Sequence, residues 1–298
     1  MLDKLGESDP TKGLPVERLP AELTELAGAK GPETAARRLT KLRDLTLVRL
    51  AGPLYLVVAC DSDGGLGPKP HDTVPVPPEL LGRFAARVPL MEILASGARP
   101  LVLVDTLSVE MEPTGRAIIE GVKFEAALAG IAGEGAVTGS TEDNVPTTAT
   151  GVGVTVIGLV MRDRLRPGTS APGDVVASVG VPKSAPADEV KIDDPDLADV
   201  PTVAALAGLP FVHDILPVGS KGIAYEAGEM AASAGLAFEP SSPVLVPGGT
   251  PSPVDAYKSA GPSTCVLVSL PPERLAELAG AVAKPVSLVG RLKSPGRT

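Results

Sequence analysis

Apolar runs of strand length recur along this chain, at residues 45–50, 54–60, 101–107, 152–161, 175–181, 244–246, 264–270 and 286–292. Helical stretches are predicted between them, at 33–42, 79–96, 113–131, 202–207, 222–234 and 272–283. A chain patterned this way has to build sheets and cover them with helices, which is an α+β or α/β architecture. Aromatic residues make up only 2% and tryptophan is missing, so the core has to be filled by Val, Leu, Ile and Ala. At 298 residues that is feasible, since a chain of this length buries about 75% of its extended surface without a metal or disulfide staple.

The stretch from Arg166 to Asp174 is rich in turn formers and lacks apolar periodicity, which places a boundary near residue 166. The expected layout is an arm and helix over 1–40, a first domain over 41–166 and a second over 167–298. A formal charge of −9 and few aromatics exclude a sequence-independent grip on nucleic acid. Cys60 and Cys265 cannot form a metal cage, and each ends or lies within an apolar run, as a small hydrophobe does. The polar N-terminus and the lack of any long apolar stretch give no signal segment and no membrane span. The expectation is therefore a cytoplasmic protein with reduced cysteines.

The residues that invite chemistry are carboxylates at the ends of separate apolar runs. Asp61 and Asp63 follow one run in Asp61-Ser62-Asp63-Gly64-Gly65, Asp105 follows Leu101–Val104, and Glu92 sits late in a helix. Glu142 and Asn144 lie in Gly139-Ser140-Thr141-Glu142-Asp143-Asn144. Asp61 and Asp63 share one side of an extended chain, so one cation would see both. Asp105 interrupts an apolar run, and a buried carboxylate needs a partner, for which a metal is well suited. Acids beside glycines suit Mg²⁺ ions holding a polyphosphate. No Walker-type loop and no protein-kinase signature is present. Gly139-Ser140-Thr141 and Gly219-Ser220-Lys221-Gly222 are the stretches able to offer backbone N–H groups to phosphate, the second at a helix start. His213-Asp214 is a candidate acid–base pair, although neighbours in an extended segment point apart.

The order of these pieces resembles the superfamily of aminoimidazole-ribonucleotide synthetase, selenophosphate synthetase, the hydrogenase-maturation dehydratase and thiamine-monophosphate kinase, over about residues 43–292. Arg43-Asp44-Leu45 is similar to the first acidic strand of that superfamily, and Ala59-Cys60-Asp61-Ser62 to the second. Leu90-Met91-Glu92 through Gly97-Ala98-Arg99-Pro100 resembles its metal-binding helix. Lys221 stands where thiamine-monophosphate kinase has an acid, and Pro262-Ser263-Thr264 replaces its later acids, which argues against thiamine phosphate as substrate. Val104 to Gly115, with Gly139–Asn144, resembles the α-ribazole kinase branch.

The resemblance implies a two-domain α+β fold, in which an N-terminal sheet domain dimerises and precedes a C-terminal α/β domain. It further implies an ATP- and Mg²⁺-dependent kinase acting on α-ribazole in cobalamin lower-ligand assembly. Asp44, Asp61, Glu92 and Asp105 are the expected metal-related acids. Asp61, Asp63, Asp105, Gly139, Ser140, Glu142, Asn144, Gly219 and Ser220 are expected near the nucleotide. Lys221 is expected to offset charge on the transferring phosphate, with His213 or Asp214 accepting the hydroxyl proton. A ligase- or dehydratase-type enzyme of the same fold, or a nucleotide-binding regulator without catalysis, are the alternatives.

Overall fold

A computed structural model describes residues 21–28, 36–133 and 135–295. The elements are α1 (Ala21–Ala27), β1 (Leu39–Leu42), β2 (Leu45–Ala51), β3 (Leu54–Gly64), β4 (Leu66–Gly67), β5 (Val74–Pro75), α2 (Pro78–Ala95), β6 (Arg99–Leu107), α3 (Arg116–Leu128), β7 (Val137–Thr141) and β8 (Gly151–Met161). They continue as β9 (Val175–Gly180), α4 (Val200–Gly208), β10 (Asp214–Pro217), α5 (Ile223–Ser233), β11 (Ala237–Leu245), β12 (Cys265–Leu270), α6 (Leu275–Ala281) and β13 (Val286–Lys293). Two principal sheets result, one of six strands ordered β1-β2-β3-β8-β6-β7 and one of five ordered β10-β12-β9-β13-β11. Each sheet is drawn wholly from one side of residue 166. Among the described residues no helix is long and apolar enough to cross a membrane.

The first sheet follows the alternation its sequence dictates. On β8 every even-numbered position from Val152 to Val160 is buried and the odd ones are half-exposed, so one face meets the helices and the other does not. Val57 and Ala59 on β3, and Leu103 and Leu107 on β6, share that buried face. Helix α2 crosses it, starting at Pro78, where a missing N–H costs nothing in the first turn. The helix is buried nearly all round because it packs on β3 and β8 while also touching α3, α4 and β10. Its approach to α3 is at backbone distance. A side chain at Gly82 would put its Cβ 2.0 Å from the Ile118 carbonyl oxygen, and one at Gly121 would stand 2.0 Å from that of Glu79. Only hydrogen fits at that crossing, so the pair of glycines fixes where α2, and Glu92 upon it, lies over the sheet. One apolar cluster runs from Leu45 through α2 to Val268 and Val286, joining the two sheets, and a smaller cluster around Ile223, Met230 and Leu267 backs α5.

Several elements differ from the sequence expectation. Residues 39–42, expected as the end of a helix, form strand β1 paired antiparallel to β2, and residues 33–35 lie outside the described set. Arg37, Arg38, Lys41 and Arg43 would suit a helix C-terminus, but Leu39 and Leu42 find hairpin partners in Val48 and Leu45. The expected loop at Asp61–Gly64 is strand, because β8 continues opposite it as far as the Gly64–Gly151 pair. Gly139–Thr141 likewise lies in β7, parallel to β6, and His213-Asp214 leads into the unanticipated short strand β10.

Candidate functional site

A cleft of about 1080 Å³ opens between the end of β3, the start of α2 and the Gly219–Gly222 turn before α5. Its floor is acidic. Strand β3 contributes Asp61 and Asp63 on one side of the chain, the turn between β1 and β2 contributes Asp44, and α2 contributes Glu92. Glu226 also reaches in, from the first turn of α5. Facing these acids, Lys221 holds its ammonium 4.1 Å from the centroid of the Tyr225 ring. The opposite wall is apolar, with Leu66, Val74, Val76, Leu80, Phe84 and Val88.

The carboxylates disturb one another. Burial pushes the Glu92 carboxyl up to about 8, reinforced by the nearby charges of Asp44 and Asp61. Burial also raises Glu226 to about 7, again with Asp44 adding to it, and raises Asp63 to about 6 with help from Asp61. Asp61 is raised by burial, against a hydrogen bond from the Ser62 N–H, with Asp44 as a further cause. Glu92 Oε2 is buried with no hydrogen-bond partner among the described residues. An acid in that state is short of a cation or a donor.

Among the described residues no three His, Cys, Asp or Glu side chains are already gathered as a metal cage. The donor set nonetheless fits Mg²⁺: all its donors are hard oxygens, and this ion keeps several waters while taking only one or two carboxylates directly. The orphaned Glu92 oxygen and the mutual repulsion of its neighbours are the features such an ion would relieve.

Other expected site residues lie elsewhere. Asp105 is 2% exposed on β6 and does not line the cleft. It stands in register with Asp61, both opposite Val154 of the intervening strand β8, and pairs across to Gly139 on β7. A Cβ at Gly139 would come 1.8 Å from Asp105 Oδ1, so the glycine makes room for that carboxylate. Burial raises the Asp105 carboxyl, partly offset by Lys123, and its Oδ2 has no hydrogen-bond partner among the described residues. Gly139, Ser140, Glu142 and Asn144 lie on or just after β7, outside the cleft, where Glu142 accepts hydrogen bonds from the N–H groups of Asn144 (2.7 Å) and Val145 (3.1 Å).

Gly219, Ser220 and Lys221 line the cleft, whereas His213 and Asp214 do not. His213 Nδ1 lies 2.8 Å from Asp174 Oδ2, and the buried Asp214 is held by Arg43. Neither is placed to take a proton from a molecule in the cleft.

Glu226 was missed by sequence reasoning. An acid in a first helical turn reads as a complement to the helix dipole. The available signal was its position three residues after Ile223 and four before Met230, on the buried stripe of α5.

Residues 43–160 match the family model described as AIR synthase related protein, N-terminal domain. The fold extends the likeness to both sheets. Thiamine-monophosphate kinase from Stenotrophomonas maltophilia K279a is 18% identical, with 87% of this chain and 89% of that one covered at a TM-score of 0.57. AaThiL, in a structure complexed with AMPPCP and TMP, is 15% identical over 85% of each chain at 0.58. The E. coli hydrogenase maturation protein HypE is 18% identical over 80% of each at 0.58. At these identities the likeness is one of fold. No curated protein matched the sequence.

Proposed function

We propose that this AIR synthase-related chain is an ATP- and Mg²⁺-dependent small-molecule kinase, with α-ribazole as its acceptor. The observation that carries the reading is the crowding of Asp44, Asp61, Asp63, Glu92 and Glu226 in one cleft, with a buried oxygen of Glu92 unpartnered. Phosphoryl transfer asks mainly for positioning and charge neutralisation, not for a protein nucleophile, and this cleft offers just those elements. When bound, Mg²⁺ would neutralise polyphosphate charge; Asp44, Asp61 and Glu92 would hold it, with Asp63 and Glu226 beside them. Lys221 would face the transferring phosphate and offset the charge that develops there.

The nucleotide would reach from Asp61 along the strand ends toward Gly139, Ser140, Glu142 and Asn144, three strand spacings or about 14 Å away. The similarly folded AaThiL is known in a complex with AMPPCP, an ATP analogue, which supports the choice of nucleotide. The apolar wall of Leu80, Phe84 and Val88 suits the flat ring system of α-ribazole, and the resemblance of Val104–Gly115 to that branch points the same way. In this reading residues 41–166 bind the nucleotide and 167–298 supply the acceptor side. Incubation with Mg–ATP and α-ribazole should yield the monophosphate by mass spectrometry. ADP release only with formylglycinamidine-type substrates would favour the ligase-type alternative, and ATP binding without turnover across a nucleoside panel would favour a regulator.

A homodimer belongs to the same proposal. The outward face of the first sheet carries rows of half-exposed apolar residues, Val48-Leu56-Leu159 and Val58-Ile157-Val102, in register across its strands. Light scattering after size exclusion should give twice the chain mass at micromolar protein; a monomer would remove this part.

A further inference from the structure

The tip of the β1–β2 hairpin is a two-residue turn, Arg43-Asp44, closed by the Leu42–Leu45 pair. Arg43 adopts φ +54°, in the left-handed region that side chains other than glycine enter at a cost. A hairpin of this length takes glycine or asparagine there without strain, so something outside the hairpin holds an arginine in that conformation.

The holder is the second sheet. Arg43 Nη1 donates to Asp214 Oδ1 at 3.1 Å, and Nη2 donates to Asp214 Oδ2. Nε and Nη2 also donate to Ser233 Oγ, at 3.1 and 2.6 Å. Asp214 is fully buried at the start of β10, and its Oδ2 takes a further hydrogen bond from the Gly168 N–H at 3.0 Å. Ser233 is fixed in turn by donating to the Met230 carbonyl at the end of α5. The guanidinium is thus docked by a two-pronged carboxylate and a serine on two elements that belong to the other half of the chain. Its backbone neighbour, Asp44, is the acid whose charge is felt by Asp61, Glu92 and Glu226 alike. Between the docked arginine and the acids lies a hollow of about 20 Å³, bounded by Arg43, Asp44, Glu92, Ser96 and β10 and large enough for one water.

We infer that the Arg43–Asp214–Ser233 clamp is a positioning device that sets Asp44 opposite Glu92, so that the cation-holding end of the cleft is assembled by both halves of the chain. This rests on the cation role proposed above for the cleft. A buried ion pair adds little net stability over an apolar substitute, and its better attested use is to select one geometry. Here the selected geometry is that of a hairpin tip, and the tip carries an acid. Asp214 therefore acts through Arg43, at a distance from the cleft it does not line.

The test measures Mn²⁺ binding to the nucleotide-free protein by water-proton relaxation, for wild type, Arg43→Lys, Asp44→Asn and the double variant. Lysine keeps the charge but loses the forked contact. Arg43→Lys should weaken Mn²⁺ about tenfold, and the double variant should bind no more weakly than Asp44→Asn alone, because Arg43 works only through Asp44. Ser233→Ala, which leaves the Asp214 contact in place, should weaken binding two- to threefold at an unchanged circular dichroism spectrum, and it carries the test if Arg43→Lys fails to fold. Losses that add in the double variant, or folded Arg43→Lys and Ser233→Ala proteins with wild-type affinity, overturn the inference while leaving the cation site standing. A wild type that binds no Mn²⁺ overturns the site itself and the clamp with it.

Discussion

Replacing Glu92 by glutamine isolates the electrostatic tension of the cleft. In the folded chain this carboxyl keeps its proton up to about pH 8, against 4.5 for an unhindered glutamate. Between those values the folded state binds more protons than the unfolded one, so raising the pH favours unfolding. The contribution is fully stabilising below the unfolded value and is lost as pH climbs toward the folded one. Integrating the linkage for this one group gives a loss of about 2 kcal/mol by pH 6 and about 4 kcal/mol by pH 8. The difference of about 2 kcal/mol corresponds to a fall of roughly 5 °C in melting temperature for a chain of this size. Asp63 and Glu226, raised to about 6 and about 7, push in the same direction. Scanning calorimetry in EDTA should therefore show the melting temperature of Glu92→Gln gaining on wild type by roughly that 5 °C between pH 6 and pH 8. Millimolar Mg²⁺ should narrow the gap by raising wild type and not the variant. Melting curves that stay parallel across that range, with no Mg²⁺ effect, would refute the idea that Glu92 is a strained, uncompensated acid.

Asp61→Asn should abolish ATP turnover while leaving the thermal midpoint unchanged or higher, since burial already disfavours its charge; a fully active variant rules Asp61 out as a ligand. Glu125→Ala tests a different kind of buried acid. It strands Arg87, 2.6 Å away and 3% exposed, and should cost about 3–5 kcal/mol in urea denaturation at every pH from 6 to 8, with a loss under 1 kcal/mol counting against the pairing.

The sequence made most of the regular structure visible, because its apolar runs are long and its helices carry clear Pro and Gly boundaries. What escaped was strand formed by polar residues. Nothing local marks Asp61-Ser62-Asp63-Gly64 as strand; it is strand because Gly151 to Val154 lies alongside. Strand β10 begins with the polar Asp214, and the Asp that looked like half of an acid–base pair is committed to an arginine 171 residues away. The acids of the cleft were legible one by one, from carboxylates ending or interrupting apolar runs. Their grouping was not, since Asp105 has the same local signature as Asp61 and yet is buried on the same face of the sheet two strands over, outside the cleft.

Glu92 and Glu125 show why the cleft calls for a ligand and not a structural explanation. Both are acids on helices pressed against the same core. Glu125 is fully buried between Arg87 and Arg83, so its burial is answered within the chain. Glu92 has Asp44 and Asp61 for neighbours and an oxygen that nothing donates to. A chain able to supply two arginines to one buried acid, and a forked arginine to Asp214, sets none of its described arginines against Glu92, whose one favourable charge is that of Lys41. Stability alone would favour an amide or an apolar residue at that position, as it would at Asp63 and Glu226. The unpartnered carboxyl is then intelligible as a site held ready for a cation from outside, whose ionisation costs the unliganded fold stability that the pH dependence of its melting should expose.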